Sequence, residues 1–87
     1  MFESLDETLV TRVTDVVQRT LVERSIRRMV SPDEDLREVG LSSLDMVNLV
    51  LSIESEFDLT IDENEITPRN FRSISAISRL MASLTVP

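Results

Sequence analysis

At 87 residues the chain is the length of one domain, expected to span 1–87 without an internal boundary. A composition of 41% hydrophobic and 29% charged residues excludes a disordered chain, and a net charge of −7 disfavours nucleic acid and anionic membranes and favours partners with basic surfaces. Cysteine and histidine are both absent, which excludes disulfides, thiolate chemistry, the commonest zinc ligand and the commonest general base.

The N-terminal "MFESLDETLV" is acidic and lacks the charged-then-apolar order of a signal peptide. From Leu5 to about Arg28, apolar residues recur at Leu5, Leu9, Val13, Val16, Val17 and Leu21, mostly in steps of three or four, so the spacing predicts an amphipathic helix. Ser4 with Glu7 three residues later reads as a capping box. Arg24, Arg27 and Arg28 come late in the segment, where cations suit the helix dipole. The helix is expected to end or bend between Leu21 and Met29.

Ser31-Pro32 opens an acidic loop, because the residue before proline avoids helical angles. Leu36 and Val39 are its apolar anchors and Gly40 ends it. A second helix is expected over 43–57, then a polar loop "DLTIDENEITP", a short helical turn at Pro68 to Phe71, and a last helix from Ser73 to Ser83 with Ile74, Ile77, Leu80, Met81 and Leu84 on one face. No strand is expected. No stretch approaches the roughly 18 apolar residues of a membrane span. The fold class is therefore all-α, a bundle of three main helices plus a short one, and a cytoplasmic monomer is the expectation.

The helix from Ser43 carries two apolar stripes. At about 100° per residue, Met46, Leu49, Val50, Ile53 and Phe57 share one sector, the expected core face against Val13, Val16 or Val17 and Ile77 and Leu80. Leu44, Val47 and Leu51 share another, with Glu54 and Asp58 beside it, while Asp45, Asn48, Ser52 and Ser55 take the polar side. One buried stripe is enough for a bundle. The surplus stripe is either a sign of deeper burial or an exposed strip rimmed by carboxylates, the look of a partner-docking face.

Two serines, Ser42 and Ser43, stand before that strip in "EVGLSSLDMV". A serine nucleophile needs a base, and neither histidine nor lysine is present. "GLSSL" lacks the second glycine of a nucleophile elbow, so catalysis by this chain is not expected. "DLTIDENEI" lacks the spacing and glycine of a calcium loop, and no metal site is expected. Either serine can cap the helix; with Ser42 as cap, Asp45 occupies the third helical position. A hydroxyl at an exposed helix start is also well placed to be modified by another enzyme.

These residues resemble a known family. "VGLSSLDMVNLVLSIESEFDLTI" is similar to the central segment of acyl and peptidyl carrier proteins, and "NFRSISAISRLM" resembles their ending. The resemblance implies a four-helix bundle of acyl-carrier type and a covalent 4′-phosphopantetheine, drawn from coenzyme A, on Ser43. Its thiol would hold an acyl or aminoacyl cargo as a thioester. The resemblance further implies partner contacts at Ser42, Leu44, Asp45, Val47, Leu51 and Glu54. The implied partners are a phosphopantetheinyl transferase, a loading ligase or acyltransferase, and downstream enzymes with basic docking surfaces. Ser42 stands where the family usually has aspartate, and Asn48 and Ser55 where fatty-acid carriers often have acids. The Gly-Leu-Ser-Ser form is similar to stand-alone aminoacyl carriers and to carriers of specialised pathways. A housekeeping fatty-acid carrier is the alternative within the family. An unarmed acidic module, whose serines only cap, is the alternative outside it.

Overall fold

The structure, a computed structural model, describes residues 7–85. Ser4 and Leu5, the expected start of the first helix, lie outside the described residues. Helix α1 runs Glu7–Glu23, α2 Leu36–Val39, α3 Ser43–Phe57 and α4 Ile74–Thr85, with a single 3₁₀ turn at Glu63–Glu65. Among the described residues there is no strand, and no helix is long and apolar enough to cross a membrane. Helix α1 packs against both α3 and α4.

The core is almost wholly aliphatic, as the scarcity of aromatics requires, with Phe71 its one buried aromatic among the described residues. Val13, Val16, Val17 and Leu21 of α1 meet Leu49, Val50 and Ile53 of α3 and Ile74, Ile77, Leu80 and Met81 of α4 in one buried cluster. Met46 and Phe57 pack at its edge, half-buried. Leu84, expected on the inner face of α4, is 40% exposed.

Helix α1 ends at Glu23, where the sequence offers neither glycine nor proline. Ser25 takes a left-handed conformation (φ 63°). Its N–H donates to the Val22 carbonyl at 2.9 Å, and the Ile26 N–H donates to the Leu21 carbonyl at 2.8 Å. That pair of bonds is a Schellman ending, made here with a serine in the place glycine usually takes. Arg24 thus sits at the helix end, as expected, but Arg27 and Arg28 lie beyond it and do not face the helix dipole. Arg28 instead pairs with Glu34 at 2.7 Å.

The chain from Arg24 to Asp35 is tied down by Gln18. Its carboxamide oxygen accepts from the Val30 N–H at 3.1 Å, and its nitrogen donates to the Arg28 carbonyl at 3.2 Å. Val30 is thereby held in the core. Two further bonds fasten this loop to the start of α4: Leu36 N–H to the Arg72 carbonyl (2.8 Å) and Ser75 N–H to the Pro32 carbonyl (2.9 Å).

The expected helical turn at Pro68 to Phe71 is present as a single turn, and the fourth helix lies elsewhere. The turn is closed by the Phe71 N–H on the Thr67 carbonyl at 3.1 Å. It goes no further because Phe71 turns into the core at 3% exposure and Ser73 starts α4, its hydroxyl accepting from the Ala76 N–H. The short helix is α2 instead. Asp35 caps it by accepting from the Arg37 N–H at 2.9 Å, Leu36 is fully buried, and Gly40 at φ 128° ends it.

Candidate functional site

The start of α3 is built from Gly40 onward. The φ of Gly40 is one that residues with a Cβ rarely adopt. It turns the chain so that Leu41 enters the core and Ser42 begins a helix. Ser42 is the N-cap. Its hydroxyl accepts from the Asp45 N–H at 3.1 Å, and its own N–H donates to Asp45 Oδ2 at 2.8 Å, a complete capping box.

Asp45 is therefore turned inward, at 5% exposure, rather than standing on an open polar face. Its other oxygen meets Arg24 Nε at 3.1 Å. The Ser42 N–H holds the Asp45 carboxyl below the usual carboxylate range; the Ser42 hydroxyl and the Arg24 charge add to this, against the opposing push of desolvation. Of the residues the resemblance offered as partner contacts, Asp45 thus presents little of itself. Glu54 is also engaged, half-buried, with its carboxylate accepting from the Ile61 N–H at 2.8 Å.

Ser43, the first residue of α3, is the opposite case. It is exposed, and its hydroxyl has no hydrogen-bond partner among the described residues. The two adjacent serines are thus distinguished by what they already do: one closes the helix end and the other is free.

The surplus stripe is exposed, which removes the deeper-burial reading. Leu44 is 70% exposed, Val47 56% and Leu51 57%, while Leu49 and Ile53 on the opposite side are fully buried. Three large apolar side chains in line on a helix of an otherwise charged surface form a patch that water does not favour.

On the other flank of Ser43 an open cleft of about 530 Å³ lies between α3 and the 66–72 segment. Met46, Val47, Val50, Ile66 and Phe71 give it an apolar floor, and Arg37, Arg69 and Arg72 stand on its rim. Sequence reasoning missed this cleft, along with Arg24. Its residues come from three separate stretches, and no local pattern joins Arg37 to Arg69. Among the described residues, no group of three or more carboxylates comes together to hold a metal ion.

Comparison with known proteins adds the following. A family model described as phosphopantetheine attachment site matches residues 8–81. The chain is 41% identical over 76 residues to aminoacyl carrier protein 1 of Bradyrhizobium diazoefficiens, covering 87% of this chain and 84% of the relative. It is 46% identical over 70 residues to aminoacyl carrier protein 2 of the same organism, covering 80% and 79%. Among solved structures it resembles a chain in the complex of Bradyrhizobium japonicum glycine:[carrier protein] ligase with its cognate carrier protein and an analogue of glycyl adenylate. The TM-score is 0.80 at 36% identity, covering 88% of this chain and 99% of that one. A chain in the complex of the same ligase with glycylated carrier protein gives a TM-score of 0.78 at 38% identity, covering 85% and 99%.

Proposed function

Because the chain belongs to the phosphopantetheine-attachment family of carrier proteins, we propose that Ser43 is its attachment residue and that its cargo is an aminoacyl group. The protein is a carrier and not an enzyme, and its cofactor is 4′-phosphopantetheine. The observation that carries the assignment to Ser43 is the free hydroxyl, exposed at the first position of α3, beside a Ser42 whose hydroxyl and N–H are both engaged in the capping box. Once attached, the group supplies a thiol that holds the cargo as a thioester.

The chain's own residues do the rest. Ser43 Oγ gives up its proton and attacks the pyrophosphate of coenzyme A; the new O–P bond forms as a pyrophosphate P–O bond breaks and adenosine 3′,5′-bisphosphate leaves, so Ser43 Oγ becomes an ester oxygen of the phosphodiester. The capping box fixes the first turn, so the oxygen is presented at a defined place. Leu44, Val47 and Leu51 offer a strip for a partner to cover, with Glu54 at its edge and Ser42 exposed at its start. Burial of that strip against a partner's apolar surface supplies affinity, and the acidic chain steers toward basic partners.

Aminoacyl cargo is favoured over a fatty acyl chain by the names of the relatives, which are aminoacyl carriers. An ATP-dependent amino acid ligase is the loading partner that this cargo implies, glycine being the first amino acid to try given the ligase in the similar complexes. A carrier of aminoacyl cargo suits a specialised pathway in the cytoplasm.

The test is direct. The purified chain is incubated with coenzyme A and several broad-specificity phosphopantetheinyl transferases, and intact mass is measured. One arm is expected on the wild-type chain and on Ser42→Ala, and none on Ser43→Ala. Arming that persists in Ser43→Ala would move the site to Ser42. No arming with any transferase would sink the carrier assignment. Loading of the armed chain with amino acids and fatty acids then separates the two cargo classes.

A further inference from the structure

The chain carries nine arginines against sixteen acids, and most of those placed near a carboxylate are used by it. Arg12 and Arg19 pair with Glu56, Arg24 with Asp45, Arg28 with Glu34 and Arg72 with Asp35. The cleft beside Ser43 breaks this pattern. Three guanidiniums line it, against one carboxylate, Asp35. Asp35 is itself occupied, one oxygen accepting from the Arg37 N–H at 2.9 Å and the other 3.8 Å from Arg72 Nε. The side chains of Arg37 and Arg69 have no carboxylate partner among the described residues. On α3, Asp45 is turned inward onto Ser42 and Arg24 and does not compete for them. A chain with a net charge of −7 thus keeps a locally cationic cleft, and Ser43 is one of its lining residues.

We propose that this cleft is the seat of the phosphodiester that joins the arm to Ser43, with Arg37 and Arg69 as its positioning side chains. The inference rests on the arming of Ser43 proposed above. A phosphodiester on Ser43 Oγ puts one negative charge at a residue that lines the cleft, where guanidiniums are the matching donors. The attraction draws the first bonds of the arm toward the apolar floor of Val50, Ile66 and Phe71. The arm then leaves on the flank away from Leu44 and Leu51, which stay free for a partner while the arm is seated, and Val47, shared by strip and cleft, is the one strip residue it touches. Both arginines are exposed, so the hold is of surface ion-pair strength and yields to salt.

The experiment compares the unarmed and armed full chain by NMR, following arginine Nε–Hε signals, backbone amides and the ³¹P resonance. Arming is expected to shift the Nε–Hε signals of Arg37 and Arg69 while leaving those of Arg27 and Arg79 in place. The amides of Val50, Ile66 and Phe71 should shift as well. Salt at about 1 M, where screening reaches about 3 Å, should cut these shifts by more than half. In Arg37→Gln/Arg69→Gln, armed to the same extent, the cleft amides should lose most of their response and the ³¹P signal should move toward that of a free phosphodiester. Arming at Ser43 with no more response at Arg37 and Arg69 than at Arg27 and Arg79 would overturn this inference alone. Absence of arming at Ser43 would overturn it together with the carrier assignment.

Discussion

Arg24 Nε lies 3.1 Å from Asp45 Oδ1, so the residue that directly follows α1 reaches the first turn of α3. Asp45 spends its other oxygen on the Ser42 N–H. The helix start that presents Ser43 is therefore fixed from two sides, by its own cap and by the neighbouring helix. Removing the cap should weaken the fold without removing the free hydroxyl. Ser42→Ala is expected to lower stability by about 1 kcal/mol in chemical denaturation, while arming at Ser43 still goes to completion. Loss of arming with the fold intact would mean that a transferase reads the Ser42 hydroxyl itself.

The same aspartate sets an acid response. Its carboxyl titrates lower when folded than the ordinary 3.8, because the charged form is held by the Ser42 N–H and Arg24. Its stabilising contribution is thus complete above about 3.8 and is lost as pH falls through the lower folded value. Glu34, held low by the Ser31 N–H and Arg28, behaves alike from 4.5 downward. Melting temperature should fall on acidification through this range. The fall should be shallower in Asp45→Asn, measured by circular dichroism at a series of pH values.

The two stripes of α3 should separate cleanly on substitution. Leu44→Ala and Leu51→Ala are expected to change stability by no more than about 0.5 kcal/mol, because those side chains stand in water. Leu49→Ala, at a fully buried position, is expected to cost about 2–5 kcal/mol. Transfer by a cognate ligase should show the reverse order, impaired by the strip variants at unchanged melting temperature.

Gly40→Ala should be costly despite the small size of the added methyl. The new Cβ would stand 3.1 Å from Ile26 Cδ1, the end of a flexible side chain that can move aside. The backbone cannot, since φ 128° is unfavourable for any residue with a Cβ. A loss of about 1–3 kcal/mol is expected. In a domain this small that lowers the melting temperature by several degrees, about 4–8 °C for each kcal/mol.

One buried group works against the fold. Ser78 is fully buried on α4, and its hydroxyl has no hydrogen-bond partner among the described residues. Ser78→Ala removes that unsatisfied oxygen and is expected to raise stability by up to about 1 kcal/mol in a denaturant titration. A loss instead would point to a bond made through ordered water.

Local signals in the sequence were sufficient for the main helices. Periodic apolar residues located α1, α3 and α4, because a helix in a bundle must bury a stripe, and the i, i+3, i+7 spacing of Leu44, Val47 and Leu51 marked a second stripe on α3, whose exposure only the packed fold decides. Features that depend on distant residues were not legible. Asp45 looked like an open polar-face residue because nothing near it announces that Arg24, 21 positions earlier, will cover it. The turn at Pro68 to Phe71 was legible from its strong local signal, but α2 was not. The Asp35 cap and Gly40 terminator of α2 enclose only four residues, too few for periodicity to show. The end of α1 was hidden for a related reason: Ser25 fills a glycine position without being a glycine.

The division between the two serines has a thermodynamic consequence. A bulky anionic group attached at Ser42 would crowd the oxygen that accepts from the Asp45 N–H and set a negative charge beside the Asp45 carboxylate, so each attachment would weaken the capping box and draw down the folding free energy. Attached at Ser43, it displaces no hydrogen bond among the described residues. Modification at Ser43, as proposed, would then be nearly uncoupled from folding, and a chain armed there would keep the scaffold of the unarmed one, with neither form forced to refold.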